Sequence, residues 1–323
     1  MIATATRPLL QVQDLCVDYL TDRGPVRAVD HVSLDLNKGE FLGIVGESGC
    51  GKSTLLFAIA RLLSAPAEIS AGEVWFRGKD MVSIDDEELR HMRWRDYSVV
   101  MQSAMNALNP VMTVGAQLAD AVQAHSRMTA RQLKSRSAEL MRVVGIDAVH
   151  LDSYPHQLSG GMRQRAMIAM ALALTPELVI MDEPTSALDV VAQRSLMVKI
   201  KQLQREFGFA TIFVTHDMSL VSHFSDRLAV MYAGQVVELG STRQVFAEPK
   251  HPYTVGLMKS FPSIRGPLGT LSGIPGSPPD LARPPHGCRF HPRCPRVFER
   301  CPTEDPQLYA EDGDLVRCFL FDR

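Results

Sequence analysis

The sequence has no uninterrupted apolar run approaching the roughly 20 residues that a membrane-spanning helix needs, so the chain is not expected to cross a bilayer by itself. Met1 to Leu10 also lacks the basic start and continuous apolar block of a secretory signal, and a cytoplasmic protein is expected. Excess charge of one sign is missing. With 34 Lys and Arg against 36 Asp and Glu, the net charge of −2 offers no reason to expect nucleic acid as a partner. Aromatics are sparse at 7%, whereas methionines number 16, which core packing explains more simply than an adaptable binding surface. No internal repeat occurs. Cysteines are few and uneven: Cys16 and Cys50 lie early, and Cys288, Cys294, Cys301 and Cys318 gather near the end. At 323 residues the chain is long enough for one large domain with an appendix, or two modest domains.

What is present begins at Gly46 to Thr54, the stretch Gly-Glu-Ser-Gly-Cys-Gly-Lys-Ser-Thr. It follows the apolar run Phe41 to Val45 and leads into Leu55 to Leu63, a helix-like segment, so the order is strand, glycine loop, helix. In such a loop the backbone N–H groups of Gly46, Ser48, Gly49, Cys50 and Gly51 converge on phosphate oxygens at a helix N-terminus. Lys52 reaches the β- and γ-phosphates, and the hydroxyl of Ser53, next to Thr54, is placed to ligate Mg²⁺.

Residues 9 to 19 and 26 to 36 alternate as strands, and 72 to 76 with the Arg77-Gly78 turn reads as an edge strand. A small antiparallel β layer beside a nucleotide-binding α/β core is therefore expected. Asp85 to Trp94 is helix-like, and Tyr97 to Met101 is a buried strand that stops at Gln102. Residues 114 to 150 are helical in period, with Gly145 as a stop. Then Leu158-Ser159-Gly160-Gly161-Met162-Arg163-Gln164-Arg165 sets a hydroxyl and two glycines at the mouth of a helix, a second end suited to an anion. Leu178 to Met181 reads as a central parallel strand delivering Asp182 and Glu183 to the ligand crevice, and Ala210 to Val214 does the same for Thr215, His216 and Asp217.

Arranged around one triphosphate, these residues have distinct tasks. Asp182 and Gln102 join Ser53 on the metal side. Glu183 is the general base for the attacking water, and His216 hydrogen-bonds the γ-phosphate and that water. Tyr19 stacks on adenine, the alternative being an ordinary aromatic at a strand end. A surface loop is the corresponding alternative for Gln102, and a structural role for His216.

The chain resembles an ATP-binding cassette (ABC) transporter ATPase on these residues. The family's motifs occur in the family's order: the phosphate loop at Gly46 to Thr54, the Q-loop at Gln102, the signature at Leu158 to Gln164 and the Walker B strand with Glu183. The D-loop Ser186-Ala187-Leu188-Asp189 and the switch histidine His216 follow. The resemblance implies an α/β P-loop NTPase cassette over residues 8–250, with a helical subdomain at about 103–157. It further implies that two subunits sandwich ATP head to tail, so that Ser159, Gly160, Gly161 and Gln164 face the partner's nucleotide. The resemblance also implies that a groove of the helical subdomain beside Gln102 receives a coupling helix from a membrane subunit.

A narrower resemblance is to the oligopeptide and dipeptide importer ATPases. It rests on Gln102 to Pro110, on His251-Pro252-Tyr253-Thr254 and on Cys288-Arg289-Phe290-His291-Pro292-Arg293-Cys294-Pro295 with Cys301 and Cys318 beyond. It implies a paralogous ATPase partner, two transmembrane permease subunits, an extracytoplasmic substrate-binding protein and a place on the cytoplasmic face of the membrane. Nickel and oligosaccharide importers share this subunit type, so those cargoes stand beside peptides. A soluble ABC ATPase working on nucleic acid or ribosomes would carry two cassettes or a long coiled-coil insertion, and neither is here. A degenerate regulatory cassette would lack the intact Glu183 and His216.

Residues 251–323 form a proline-rich tail in which little regular core is expected. Four thiolates in a cytosolic segment argue for a metal over disulfides. In the family these four cysteines bind a [4Fe–4S] cluster. Zinc remains the alternative, although its paired C-x₂₋₄-C spacing is absent.

Overall fold

A computed structural model describes residues 7–102, 107–186, 188–260 and 273–322. Ser103 to Asn106 of the Q-loop stretch, Ala187 of the D-loop motif, Pro262 and Pro267, and the first six residues lie outside the described residues. The chain divides into two compact units, one built from Met1–Leu36, Leu42–Val82 and His216–Arg323, the other from Asn37–Phe41 and Ser83–Thr215. Elements are numbered along the chain.

In the first unit, Leu10–Thr21 (β1) pairs antiparallel with both Gly24–Leu36 (β2) and Ala67–Phe76 (β4), and β4 pairs with Lys79–Asp80 (β5). This is the expected antiparallel layer, ordered β2-β1-β4-β5. β4 starts five residues earlier than the edge strand read at 72 to 76, because pairing with β1 extends through exposed positions that carry no apolar pattern. Phe41–Val45 (β3) runs parallel to Arg227–Tyr232 (β9), which returns through Ala233 and Gly234 as Gln235–Ser241 (β10). Every residue of β3 is buried, as expected for a parallel strand covered on both faces. Lys52–Ile59 (α1) starts at the phosphate loop, earlier than the helix read from Leu55, because the apolar pattern begins only after the polar first turn.

In the second unit, Tyr97–Val100 (β6), Leu178–Asp182 (β7) and Ala210–Val214 (β8) form a parallel run in the order β6-β7-β8. Phe41 packs edge-on against Phe213, with ring centroids 5.9 Å apart. The helical stretch expected over 114 to 150 is divided into Val114–Gln123 (α3) and Ala130–Val143 (α4), after Asp86–Met92 (α2). Thr129 causes the division: its hydroxyl accepts from the Gln132 N–H while the Gln132 side chain accepts from the Thr129 N–H, a capping box that starts a new helix. Gly145, at φ +74°, ends α4 where the stop was read. Gly160–Ala171 (α5) and Val190–Phe207 (α6) complete the unit's helices.

The tail is more regular than its prolines imply. Met218–Phe224 (α7) and Thr242–Ala247 (α8) precede Pro252–Lys259 (α9), which has Pro252 in its first turn, where a missing N–H costs nothing. Tyr309–Glu311 (β11) and Asp314–Val316 (β12) pair antiparallel, and β12 adds to β10. Tyr253 is fully buried among Tyr232 and Phe290, so aromatic contacts of long sequence separation supply a core that local patterning does not display.

Candidate functional site

The phosphate loop lies entirely within the first unit. Gly51 caps α1 at φ +99°, and a Cβ there would collide with the Ala28 carbonyl; one at Gly46 would collide with the carbonyl of Met231. Both positions therefore require glycine. Ser48 and Gly49 are exposed at the loop's tip, Ser53 and Thr54 are half-buried on the first turn of α1, and Cys50 is buried. Burial pushes the Cys50 thiol above its ordinary range, against the opposing pull of Lys52. Lys52 Nζ donates to the carbonyls of Gly46 and Glu47, each at 2.8 Å, so the ammonium is held inside the loop's own curve. The Tyr19 hydroxyl lies 3.2 Å from the Thr54 hydroxyl, which brings that aromatic to the first turn of α1.

Glu47 is the loop residue that the sequence reading missed. Its carbonyl accepts from Lys52, its N–H donates to the Tyr253 hydroxyl at 3.0 Å, and its carboxylate takes both arms of Arg293 at 2.8 and 3.0 Å. The Tyr232 hydroxyl also accepts from Arg293 at 3.2 Å. No local period could announce these contacts, because Arg293 lies 246 residues beyond Glu47.

The carboxylates lie within the second unit. Asp182 is the buried last residue of β7, and the Glu183 N–H donates to the Val214 carbonyl at 2.9 Å. Glu183 sits at φ +44°, a left-handed conformation that disfavours a residue with a Cβ and is held here by the neighbouring strand. Its carboxylate accepts from the Gln102 amide at 2.9 Å. Gln102 and Glu183, 81 positions apart, are thus brought together by the parallel pairing of β6 with β7. His216 is exposed just after this unit ends, and Asp217 caps α7 by accepting from the N–H groups of Ser219 and Leu220.

Also in the second unit, Ser159 is exposed and caps α5, accepting from the Met162 N–H at 3.3 Å. Gly160 and Gly161 are half-buried in the first turn. Gln164 is 4% exposed, so its side chain is turned into the unit.

In the tail, Cys288, Cys294, Cys301 and Cys318 are free thiols. Burial pushes Cys288 up to about 12 and raises Cys294 and Cys318; the charges of the other three cysteines raise Cys288 further, that of Cys301 raises Cys294, and those of Cys294 and Cys301 raise Cys318. The Arg296 N–H donates to Cys294 Sγ at 3.4 Å, and backbone groups at Phe290 and Leu320 favour the charged forms of Cys288 and Cys318. Such a set suits a cation, which would reverse the repulsion among thiolates. Among the described residues, the metal-capable trio with ligand atoms within 4.8 Å of one another is Cys16, Asp30 and His31. The Cys16 trio suits a cation poorly, since Asp30 already accepts from Arg289 at 2.7 Å and from Gln235 at 2.9 Å.

Among the described residues no helix is long and apolar enough to cross a membrane. The ABC transporter family matches residues 29–186, and the oligopeptide/dipeptide transporter C-terminal region matches residues 237–301. The chain is 43% identical over 319 residues to the dipeptide transport ATP-binding protein DppD of Bacillus subtilis, covering 98% of this chain and 95% of that protein. It is 42% identical over 329 residues to the oligopeptide transport ATP-binding protein OppD of Escherichia coli, covering 99% and 97%. A dimeric ATP-binding cassette solved in a post-hydrolysis state with ADP and Pi matches at a TM-score of 0.66 and 29% identity, over 72% of this chain and 99% of that one. With a phosphate loop, two carboxylates at a strand end and a cysteine-bearing tail joined to β10, the chain belongs to the ABC transporter ATPases, in the branch of oligopeptide and dipeptide transport ATP-binding subunits.

Proposed function

We propose that this ATPase powers peptide uptake, and the observation that carries the cargo class is the oligopeptide/dipeptide C-terminal region at residues 237–301. Residues 8–250 act as the cassette and 251–323 as its appendix. The backbone of Gly46, Ser48, Gly49, Cys50 and Gly51 cradles the phosphates, Lys52 leaves the loop carbonyls to meet the β- and γ-phosphates, and Thr54 and Tyr19 flank them. Ser53, Gln102 and Asp182 hold the Mg²⁺ side, Glu183 takes the proton of the attacking water, and His216 orients that water.

Ser159, Gly160 and Gly161 present the end of α5 to a nucleotide held by a second subunit, and Gln164 supports that turn from inside. The second subunit is a paralogous ATPase. Two permease subunits and an extracytoplasmic binding protein complete the transporter, with this chain peripheral on the cytoplasmic face and no nucleic acid involved. Cys288, Cys294, Cys301 and Cys318 hold a [4Fe–4S] cluster, which supplies a covalent cross-link among four points of the tail.

The deciding experiment is reconstitution of the complete transporter in vesicles with labelled dipeptides and longer peptides. ATP-dependent accumulation of either is expected. Accumulation of nickel or an oligosaccharide in place of peptide would defeat the cargo assignment.

A further inference from the structure

We propose that Arg293, inside the tail's cysteine segment, is a positioning residue of the phosphate loop that sets nucleotide affinity through Glu47. The inference rests on the ATPase activity and concerns a residue outside every motif of the cassette.

Glu47 is restrained at three groups. Its carbonyl holds Lys52, its N–H is bound by the Tyr253 hydroxyl of α9, and its carboxylate is gripped by the Arg293 guanidinium. The two outer restraints both come from the tail. Arg293 is itself fixed: its side chain is 6% exposed, it donates to the carbonyls of Pro275 and Gly276, and its guanidinium lies over the Tyr232 ring at 5.7 Å. Phe290 packs edge-on against both Tyr232 and Tyr253, so the segment between Cys288 and Cys294 reaches the loop as a rigid piece.

On its outer side the loop is loosely packed. A cavity of about 290 Å³ separates Glu47, Ser48, Gly49 and Cys50 from Pro278 and Leu281. Side-chain packing therefore does little to hold the loop there, and the fork from Arg293 carries that task. A bidentate guanidinium fixes direction as well as distance, which an ammonium does not.

The fork has a second effect. Glu47 places a carboxylate on the loop that must accept a polyanion, and Arg293 cancels it. Removing Arg293 both frees the loop and exposes the nucleotide to an uncompensated negative charge. Neutralising Glu47 in the same chain removes the second penalty, a rescue that general damage to the tail would not show.

The test is calorimetric titration of the full chain with Mg-ATP. Arg293→Ala should weaken binding about tenfold, Arg293→Lys about threefold, and Arg293→Ala with Glu47→Gln should recover to within about threefold of the unaltered chain. In the assembled transporter the loss should appear in KM, with kcat at saturating ATP within about twofold. Unchanged affinity in Arg293→Ala, or equal weakness in the single and double variants, would overturn the proposal. Should Arg293→Ala fail to fold, Arg293→Lys decides alone, and its unchanged affinity overturns the role. Absence of binding by the unaltered chain would instead defeat the nucleotide reading, and this one with it.

Discussion

Glu183 is held in an unfavourable backbone conformation while its carboxylate accepts from Gln102, so the group is aimed by its surroundings and not by its own preference. Glu183→Gln keeps that shape and removes the proposed proton acceptor. ATP binding should persist while hydrolysis by the assembled transporter falls at least about a hundredfold, and near-normal turnover would exclude Glu183 as the base. A second residue gives a pH dependence. Burial depresses His251 to about 3; its Nδ1 accepts from the Tyr253 N–H, and Arg317 adds repulsion. The unfolded imidazole titrates near ~6.5, so between that value and about 3 the unfolded chain binds one proton more, and stability is lost as pH falls through this window. Thermal midpoints should drop from pH 7 to pH 5, less steeply for His251→Gln. Equal slopes would remove His251 from the account. Of these residues, Glu183 was legible because a carboxylate after an apolar run marks a strand end. His251 and Arg293 stood in the motifs of the resemblance, but their contacts were not legible, since long-range partners leave no local period.

At the scale of elements, the central strands and the phosphate loop were legible for one reason: each is dictated by its own few residues, buried runs of five and a glycine turn. The division of α3 from α4 was missed because the Thr129 capping box outweighs an apolar period that continues past it. β11 and β12 were missed because three-residue strands are stabilised by pairing, β11 with β12 and β12 with β10, and not by pattern. The start of α5 carries a testable role. Ser159 already caps it, leaving the turn at Gly160 and Gly161 half-buried and able to meet phosphate. In the proposed two-subunit site, Gly160→Asp should leave Mg-ATP binding by this chain unchanged, yet lower hydrolysis in the complex, because the new carboxylate would repel a γ-phosphate carried by the partner ATPase. Loss of binding by the isolated chain would refute the two-subunit site.

At the scale of the whole molecule, the last seventy residues are tied to the cassette by scattered polar anchors. Glu238 of β10, raised by burial, accepts from the N–H groups of Lys250 and His251. Lys250 bridges to Asp314 at 2.9 Å, Arg289 to Asp30 at 2.7 Å and Arg293 to Glu47 at 2.8 Å. The four cysteines lie in the same segment, and burial raises the thiols of Cys288, Cys294 and Cys318, which shows the cost of charging those three without a cation. With the proposed cluster in place, protein purified without oxygen should be brown and contain roughly four irons per chain. Replacing Cys288, Cys294, Cys301 or Cys318 by serine should bleach it and open the tail to proteolysis. Because Arg289 and Arg293 lie between Cys288 and Cys294, loss of the cluster should also weaken Mg-ATP binding in the unaltered chain and change it little in Arg293→Ala. Elemental analysis and titration on the same preparation separate the possibilities. One zinc without iron would replace the cluster but keep the cross-link, and no metal in iron-replete anaerobic protein would leave the polar anchors alone to order the tail.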